Sequence, residues 1–259
     1  MGSHELFLLL GVAIGVAAFL IWWLIFETEG VYLGRRVVVA LYDLYAGRYD
    51  RIKQFDESAD ITLISQPLLD RIAPDADPLI LDVATGTGRV PLLMARNARF
   101  QGHVIGLDAS GRMLDRAREK AADARFEPFV SLIQHDASKL PFEDSSFDVV
   151  TCLEALEFMP RPGTALAEMV RVLRPGGLLL TTIRIDTRWM PGRTWTEARM
   201  RAELEALGMR DIDVLIWQED YSQVWALKAG SSQPIGAGGL EDAMQSLRQV
   251  AISQASQIC

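Results

Sequence analysis

A glycine-rich turn follows an apolar run in the first half of the chain. The residues from Leu79 to Ala84 have the composition of a buried strand, and Thr85-Gly86-Thr87-Gly88 comes directly after them, before a pattern typical of a helix. Glycines at such a junction let the backbone turn tightly and approach a ligand closely, while the helix N-terminus offers free N–H groups. The sequence therefore predicts that a small molecule binds over this turn.

The type of ligand depends on the residues around the glycines. A phosphate-binding Walker loop needs a Gly-Lys-Ser/Thr sequence, which this turn lacks, and a dinucleotide-binding loop needs a third glycine where this chain has Pro91. Asp82, near the end of the strand, adds a carboxylate that repels phosphate and attracts a cation. These residues favour a cationic cofactor with an amino-acid group, and S-adenosylmethionine, which carries an ammonium and a sulfonium, has this chemistry.

Two further acidic residues follow the next two predicted strands. Asp108 ends the second apolar run, where an acid can accept hydrogen bonds from both ribose hydroxyls. It could instead cap the following helix, although Ser110 is an equally good cap. Asp136 can accept a hydrogen bond from an exocyclic amine such as that of adenine, and Ala137 offers a backbone N–H. His135 beside this turn is either catalytic or structural, and the structural role is favoured.

The elements that must hold these acids alternate regularly. From Leu79 to Ile185, short apolar runs alternate with amphipathic helical stretches, which is typical of a parallel sheet with helices on both faces. A final hairpin, with strands at 211–217 and 221–229, would place one antiparallel strand in this sheet. We therefore expect an α/β fold with a Rossmann-like, doubly wound, mostly parallel sheet, preceded by a single transmembrane helix.

The N-terminal region concentrates apolar residues. The run from Leu6 to Phe26 has no charged side chain and, at about 1.5 Å per residue, spans roughly the 30 Å of a bilayer core. A cleaved signal peptide is the alternative, but no Lys or Arg precedes the run and no Ala-x-Ala site follows it. The basic residues nearby all follow the run, so the positive-inside rule predicts a single-pass membrane protein with its main domain in the cytoplasm. Gly11 and Gly15 have the Gly-x-x-x-Gly spacing that could support a homodimer through this helix.

The bulk composition excludes several classes of partner. The net charge of −8 argues against nucleic acid, whose binding needs a clustered positive field. Cys152 and Cys259 are too few for a disulfide framework or a cysteine metal site, so we expect no metal and a reducing compartment. We divide the chain into a short tail (1–5), the transmembrane helix (6–26), a juxtamembrane lid segment (27–60), a cofactor-binding domain (61–230) and a flexible linker with a short C-terminal tail (231–259).

Four motifs follow one another in the order and spacing of a known family. They read D-V-A-T-G-T-G, G-L-D-A-S, H-D-A-S-K-L-P-F-E-D-S-S-F-D-V-V and V-L-R-P-G-G-L-L-L. The chain from Tyr42 to Ala229 resembles the class I S-adenosylmethionine-dependent methyltransferases, and within them the group of ubiquinone and menaquinone biosynthesis methyltransferases with a type 11 methyltransferase domain. The resemblance implies S-adenosyl-L-methionine as the cofactor. It also implies a set of cofactor-binding residues at the ends of the first four strands: Asp82, Ala84, Thr85, Gly86, Gly88, Asp108, Ala109, Met113, Asp136, Ala137 and Leu153.

Two glutamates after the fourth strand are the candidates for a catalytic base. Methyl transfer from a sulfonium needs mainly alignment and desolvation, and only a phenol or an activated ring carbon also needs a base. Glu154 and Glu157 lie where the family often carries functional groups, with Glu154 the first candidate; both could instead simply begin the next helix. Many relatives have a histidine where this chain has Phe158, and the Gly-Leu-Arg-Asn-like stretch of the quinone enzymes is absent.

Aromatic residues on either side of the cofactor motifs suit the methyl acceptor. Tyr45 and Tyr49 lie on the helix predicted over 31–55, and Trp189 follows the fifth strand among several arginines. Such groups suit an amphiphile with an apolar body and a polar head. We expect a membrane-anchored methyltransferase whose partners are the bilayer and a lipophilic acceptor, either a quinol precursor or a phospholipid amine. A soluble thiol or amine acceptor is the alternative, and a non-catalytic membrane module that binds the cofactor is a third hypothesis.

Overall fold

Seven strands form one sheet that organises the chain after residue 78. The structure, a computed structural model, describes residues 3–72, 77–185 and 188–256. The strands are β1 (Leu79–Val83), β2 (His103–Asp108), β3 (Val130–Gln134), β4 (Phe147–Cys152), β5 (Leu173–Arg184), β6 (Met209–Ile216) and β7 (Tyr221–Lys228). Their spatial order is β3-β2-β1-β4-β5-β7-β6, and β7 runs antiparallel to both of its neighbours while the other pairs are parallel. The predicted α/β sheet, mostly parallel with one antiparallel strand in a C-terminal hairpin, is confirmed.

Helices cover both faces of this sheet. Those described are α1 (Ser3–Trp22), α2 (Arg35–Tyr45), α3 (Tyr49–Lys53), α4 (Glu57–Asp60), α5 (Gln66–Arg71), α6 (Arg89–Arg96), α7 (Gly111–Ala124), α8 (Pro162–Val172), α9 (Glu197–Ala206) and α10 (Leu240–Ser256). Successive residues of β1 point to opposite faces, so that Leu79 and Leu81 pack in one core cluster and Ile80 in the other. Because both faces are sealed, a ligand has access at the carboxyl edge, where the turns after β1, β2 and β4 meet.

An exposed apolar helix precedes the sheet. α1 continues as a π-helical turn over Trp23–Glu27, and the segment Phe7–Glu27, with a mean hydropathy of 2.6, is long and apolar enough to cross a membrane. A signal sequence or the core helix of a soluble protein can have the same length and composition. The most apolar 18 residues of this segment include no buried residue, which distinguishes the segment from a core helix. Gly11 and Gly15 have open space beside them, and the homodimer through this helix stays a prediction.

The juxtamembrane segment is not the continuous helix predicted over 31–55. It consists of a 3₁₀ turn at Val31–Leu33, helix α2, a second 3₁₀ turn at Ala46–Arg48, and helix α3. Gly34 has a φ of 95°, outside the helical region, and it separates the first turn from α2. The residues 31–55 therefore bend around the edge of the sheet, and α2 lies against α7, where the Asp43 carboxylate accepts a hydrogen bond from the Ser110 hydroxyl at 2.5 Å.

A buried carboxylate at the amino edge of the sheet ties the C-terminal segment to the core. The side chain of Asp148 accepts hydrogen bonds from the backbone N–H of Leu79 at 3.0 Å and from those of Ile235 and Gly236 at 2.9 Å. The Arg174 guanidinium also donates to it, at 2.6 Å. The glycine- and serine-rich stretch that the sequence indicates as a flexible linker is thus fixed to the sheet at this point.

Candidate cofactor and active site

The glycine-rich turn after β1 adopts backbone conformations that explain its composition. Ala84, Gly86 and Gly88 all have positive φ angles, of 58°, 55° and 83°. At Gly88, a Cβ atom would lie 3.2 Å from the Cβ of Ala117 on α7, so a larger residue would also push the turn away from this helix. The turn therefore leads from β1 directly into α6 and leaves its outer side open to a ligand.

Two adjoining cavities lie over this turn. The larger has an empty volume of about 870 Å³, including its open mouth, and extends from Asp108 towards Asp136 and Phe158. The smaller, of about 400 Å³, lies over Asp82 and Arg89. Five residues line both cavities, which together form one cleft: Tyr49, Ala84, Gly86, Leu153 and Glu154. A cleft of this size is typical of a small-molecule site.

Most of the predicted cofactor-binding residues lie in this cleft. The larger cavity is lined by Ala84, Gly86, Asp108, Ala109, Asp136, Ala137 and Leu153, and the smaller cavity adds Asp82 and Thr85. Two predicted residues line neither cavity. Gly88 packs against α7, and Met113 is fully buried in the core, where its backbone N–H donates to the Ser110 hydroxyl. These two residues shape the turn and the helix beneath the cleft, so their prediction as direct contacts is not supported by their positions.

Asp108 connects the two turns that form the floor of the cleft. Its carboxylate accepts hydrogen bonds from the backbone N–H of Gly86 and from that of Ser110, both at 2.8 Å. The helix cap of α7 is the Ser110 hydroxyl, which accepts from the N–H of Met113 at 3.1 Å. Burial raises the pKa of Asp108, and the backbone hydrogen bonds oppose this shift. Asp108 thus holds the cleft together and is not the N-cap that it could have been.

Asp82 is a buried carboxylate at the opposite end of the cleft. The hydroxyl of Thr151 on β4 donates to it at 2.6 Å. Burial raises the pKa of Asp82 to about 6, although the hydrogen bond from Thr151 acts in the other direction. The hydrogen-bond donor to this buried acid is a hydroxyl and not a cation. The acid is therefore suited to receive a positively charged ligand. The residues present therefore fit the ammonium end of S-adenosylmethionine.

Helix α2 covers the end of the cleft at Asp136, where the sequence predicts the adenine. The Arg35 guanidinium lies 2.8 Å from the Asp136 carboxylate, which also accepts from the N–H of Ser138 at 2.9 Å. Towards the other end of α2, the Asp43 carboxylate accepts a hydrogen bond from the N–H of Arg112 at 3.2 Å, in addition to the one from Ser110. Sequence reasoning did not find Arg35 or Asp43, because neither lies in a motif and only the bend at Gly34 brings α2 over the sheet.

Glu154 lies at the centre of the cleft but is engaged by two cations. Its backbone has a φ of 51°, a conformation that a non-glycine residue rarely adopts, and its N–H donates to the Thr182 hydroxyl at 2.8 Å. Its carboxylate lies 2.7 Å from the Arg89 guanidinium and 3.7 Å from the Lys53 ammonium. These two ion pairs give the carboxylate a structural role. They do not confirm that it acts as a base.

Arg89 is the centre of a buried polar cluster that the sequence analysis missed. Besides Glu154, it contacts both carboxylate oxygens of Asp60, at 2.6 and 2.8 Å. The rings of Phe55 and Trp217 stack on its guanidinium with centroid distances of 4.1 and 4.9 Å. Its position directly after the glycine-rich turn was the signal that could have indicated a site residue.

Glu157 does not reach the cleft. It lies in the 3₁₀ turn Leu156–Phe158 and is buried, with the Tyr221 hydroxyl donating to its carboxylate at 2.5 Å. Burial raises its pKa, and the hydrogen bond from Tyr221 opposes this shift. The prediction of Glu157 as a second candidate base is therefore not supported, because its side chain lies on the far side of the turn.

The predicted substrate residues are only partly brought together. Tyr49 lines both cavities. Tyr42, on helix α2, lines the larger one, and the centroid of its ring lies 6.0 Å from that of Tyr49. Tyr45 lines neither, because α2 ends there and the 3₁₀ turn at Ala46–Arg48 changes the direction of the chain. Trp189 also lies outside the cleft, 43% exposed, where its carbonyl accepts from the Trp23 indole at 3.0 Å.

Trp189 belongs to a loop, residues 188–195, that joins the base of the apolar helix to the domain. In this joint, the Tyr32 hydroxyl donates to the Pro191 carbonyl at 2.7 Å and the Arg193 guanidinium donates to the Val31 carbonyl at 2.8 Å. The ring of Trp23 stacks on that of Tyr32, with centroids 5.2 Å apart. The apolar helix is therefore attached to the domain by side-chain contacts as well as by the chain.

Known proteins resemble this chain in sequence. Residues 81–181 match the family model of a methyltransferase domain. The chain is 36% identical over 157 residues to a ubiquinone/menaquinone biosynthesis C-methyltransferase, UbiE, of Roseobacter denitrificans, an alignment that covers 60% of this chain and 62% of that protein. It is 33% identical over 143 residues to a demethylmenaquinone methyltransferase of Lactiplantibacillus plantarum, covering 55% and 60% of the two chains. The chain thus spans less than two thirds of the length of either relative.

Solved structures resemble it in fold. A methyltransferase from Aquifex aeolicus that depends on S-adenosylmethionine superposes with a TM-score of 0.54 at 22% identity, over 67% of this chain and 98% of that chain. Residues 81–181 thus match a methyltransferase domain, the fold is that of a solved S-adenosylmethionine-dependent methyltransferase, and S-adenosylmethionine is the cofactor that the residues of the cleft fit.

Proposed function

We propose that this chain is a membrane-anchored methyltransferase that transfers the methyl group of S-adenosylmethionine to a lipophilic acceptor. The observation that carries the proposal is the joint between the apolar helix and the loop 188–195, which lies beside the cleft. A helix that served only to locate the protein would need no such attachment. Held at the bilayer surface, the cleft would meet a membrane-resident acceptor at a raised local concentration.

An apolar wall leads from this joint into the cleft. Val31, Val38, Phe158 and Met190 form one small core cluster, with Tyr42 packed against it. Val38, Phe158 and Tyr42 also line the larger cavity. The proposal therefore places the apolar body of the acceptor along this wall, with its reacting group near Tyr49 and Leu153.

The residues of the cleft would orient the cofactor and leave little other work to the protein. Asp82 would receive the ammonium, Asp108 the ribose hydroxyls and Asp136 the adenine amine. The bound cofactor supplies a methyl group on a sulfonium, a good leaving group that is already present. Helix α2 and the aromatic rings of Tyr42 and Tyr49 would exclude water from the reacting atoms.

The names of the relatives favour one class of lipophilic acceptor. Both are methyltransferases of quinone biosynthesis by their names, and the smaller of the two alignments still covers 55% of this chain. We therefore favour a quinol precursor over a phospholipid amine. The positive-inside rule adds that the domain would face the cytoplasm, since Arg35, Arg36, Arg48, Arg51 and Lys53 all follow the apolar helix.

The test uses the full chain reconstituted in lipid nanodiscs with methyl-labelled S-adenosylmethionine and a bacterial membrane lipid extract. We expect label in the organic phase, on a species that migrates with hydroxylated prenyl-aromatic lipids, and no transfer by the Asp108→Ala variant. Label on phospholipid amines would keep the lipophilic acceptor but change its class. Label found only in water-soluble products would contradict the proposal and favour a soluble thiol or amine.

A further inference from the structure

An acidic residue in the link after the apolar helix reaches the cleft through a tyrosine. The Tyr42 hydroxyl donates a hydrogen bond to Oε2 of Glu29. Glu29 has a φ of 48°, and the following Gly30 a φ of 75°, so two successive residues have left-handed conformations. A Cβ atom on Gly30 would lie 2.9 Å from Val37, which shows how closely this link packs on α2. The fold thus maintains an unfavourable backbone conformation at the residue that presents this carboxylate.

The tyrosine in this pair faces the acceptor side of the cleft. The Tyr42 ring lines the larger cavity and contacts the rings of Phe158 and Tyr49, with centroid distances of 6.4 and 6.0 Å. Tyr42 therefore connects the acceptor side of the cleft with the Glu29 carboxylate, which itself lines neither cavity. A hydroxyl in this position can accept a proton on its oxygen while it donates its own proton onward.

The other possible bases near the cleft are bonded to other side chains or lie away from the acceptor wall. The Glu154 carboxylate lies against Arg89 and Lys53, and Glu157 is turned away towards Tyr221. His135 lies at the adenine end, where its Nδ1 is 3.2 Å from the carbonyl of Asp136. The Glu29 and Tyr42 pair is the remaining titratable group among the described residues that combines a carboxylate with access to the acceptor wall.

We propose that Tyr42 and Glu29 form a relay that removes the hydroxyl proton of a phenolic acceptor. This inference rests on the proposed function and narrows it to a hydroxylated ring, since an amine or thiol needs no such base. Tyr42, which would touch the acceptor, is the catalytic residue, and Glu29, which acts through it, is a positioning residue and the proton's destination.

Proton transfer through the relay accompanies the methyl transfer. The acceptor hydroxyl gives its proton to the Tyr42 oxygen as Tyr42 gives its own proton to the Glu29 carboxylate. The electron pair released on the acceptor attacks the methyl carbon, from its oxygen or from a ring carbon conjugated with it. The bond between that carbon and sulfur breaks, and sulfur keeps the electron pair as a neutral thioether. With attack by carbon, the ring then loses its own proton as the hydroxyl regains one, so the acceptor loses one proton overall.

The electrostatic surroundings agree with a relay and not with a tyrosinate base. Burial and then the charge of Glu29 raise the pKa of Tyr42 well above its usual range. The groups that interact with Glu29 across this space are Tyr42 on α2, Tyr49 on α3 and Glu157 after β4, while Tyr221 on β7 and Arg184 on β5 interact with Glu157 in turn. Tyr42 therefore keeps its proton at neutral pH and can only pass one on.

The test compares the parent chain in nanodiscs with Glu29→Gln, Glu29→Asp and Tyr42→Phe, using a long-chain alkyl hydroquinone as the acceptor. We expect Glu29→Gln and Tyr42→Phe to lower kcat by about a hundredfold or more with KM nearly unchanged, and Glu29→Asp to recover part of the rate. Glu57→Gln, an exposed carboxylate paired with Arg96, is the matched control and should keep the parent kcat and KM.

Calorimetry with S-adenosylhomocysteine accompanies each variant, so that loss of folding is recognised. If a variant no longer binds this product, the other isosteric variant decides. The relay is overturned if both variants bind S-adenosylhomocysteine and turn over within threefold of the parent, or if the parent methylates amine lipids and not the hydroquinone. In those cases the parent is active, whereas failure of the proposed function itself would show as a parent that transfers no label to any lipid.

Discussion

At the scale of single residues, the two buried carboxylates of the cleft differ in their partners. Asp108 is held by two backbone N–H groups, and Asp82 by one hydroxyl. A carboxylate that is satisfied by N–H donors maintains the shape of a site, whereas one that is buried with a single hydroxyl donor is costly to ionise until a cation binds. The two acids of the cofactor cleft therefore respond differently to pH.

We predict that the affinity for S-adenosylmethionine falls as the pH decreases through about 6. Burial raises the pKa of Asp82 to about 6, although the charge of Arg89 acts in the other direction, so acid protonates the group that would receive the ammonium. The free energy of unfolding depends on pH in the opposite direction. The folded chain binds the proton of Asp82 more tightly than the unfolded chain does. The resulting stabilisation of the folded chain is present at low pH and is lost as the pH rises towards 6.

Calorimetry at about pH 5 and about pH 7, in buffers with different ionisation enthalpies, measures the affinity for S-adenosylmethionine and the number of protons released on binding. Binding near pH 5 should be weaker and should release a proton to the buffer. Asp82→Asn should remove the proton release. An affinity in the parent that is the same at both pH values would contradict the prediction.

Arg89 provides a second prediction at the residue scale. Arg89→Met leaves the carboxylates of Asp60 and Glu154 buried without their cation, which costs about 3–5 kcal/mol of the free energy of unfolding for a buried pair. The side chains of Arg89, Asp60 and Glu154 are only 13%, 7% and 10% exposed, so solvent screens them little. Denaturant titration in detergent micelles measures the loss.

The exposed pair of Arg99 and Asp70 is the matched control for this substitution. Its side chains are 56% and 63% exposed, so Arg99→Met should change the free energy of unfolding by less than about 1 kcal/mol. Equal losses in Arg89→Met and Arg99→Met would show that the buried cluster has no special role in stability.

At the scale of elements, helix α2 is the lid of the cofactor site. Its first turn is attached to the rim of the cleft by the ion pair of Arg35 with Asp136, which is partly exposed. We expect Arg35→Ala to speed the release of S-adenosylhomocysteine by up to about fivefold, the range of a solvent-exposed pair. Arg36→Ala, on the exposed side of the same helix, should leave the rate unchanged, and stopped-flow displacement separates the two. Equal rates for both variants would mean that the ion pair of Arg35 does not hold α2 over the site.

The elements of the sheet could be predicted from the sequence, and the course of the lid could not. Apolar runs of strand length between amphipathic helices specify a parallel sheet, because each strand must be buried on both faces. The continuous helix over 31–55 was wrong because Gly34 leaves the helical conformation and the chain turns again after Tyr45. Periodicity alone places Tyr42, Tyr45 and Tyr49 on one helical face, whereas the bent chain brings only Tyr42 and Tyr49 to the cleft.

The candidate site, too, could be predicted from the sequence only in part. Asp82, Asp108 and Asp136 were predictable because each lies at or just after the end of a strand, and these ends must lie at the carboxyl edge. The partner of Glu154 and the burial of Glu157 depend on which side of a short turn each side chain takes, and no spacing in the sequence encodes this. The contact of Glu29 with Tyr42 depends on two left-handed residues in the link, which only the tertiary structure reveals.

At the scale of the whole molecule, the joint beneath the apolar helix fixes the cleft relative to that helix. We predict that the double variant Tyr32→Phe and Arg193→Ala, which removes two of its hydrogen bonds, keeps its affinity for S-adenosylhomocysteine. Its kcat/KM for a bilayer-resident hydroquinone should fall several-fold in nanodiscs, because the cleft is then less well oriented towards the bilayer. In micelles, where the acceptor approaches from any direction, the loss should be smaller.

Arg118→Ala, on an exposed part of α7, is the control and should behave like the parent in both systems. A loss of equal size in nanodiscs and micelles would indicate that the joint only supports the loop 188–195. No loss in either would show that the apolar helix acts as a simple tether.

Asp148 has a consequence for where the folding unit ends. Its carboxylate is shared between the first strand, a guanidinium and two N–H groups of the C-terminal segment. A chain shortened after Ala229, where the last strand is already complete, would leave this acid in the core with half of its donors removed. Trimming the glycine-rich stretch as if it were a dispensable appendage would thus weaken the sheet at the edge opposite to the cleft, and a tag attached there would best follow α10 rather than replace it.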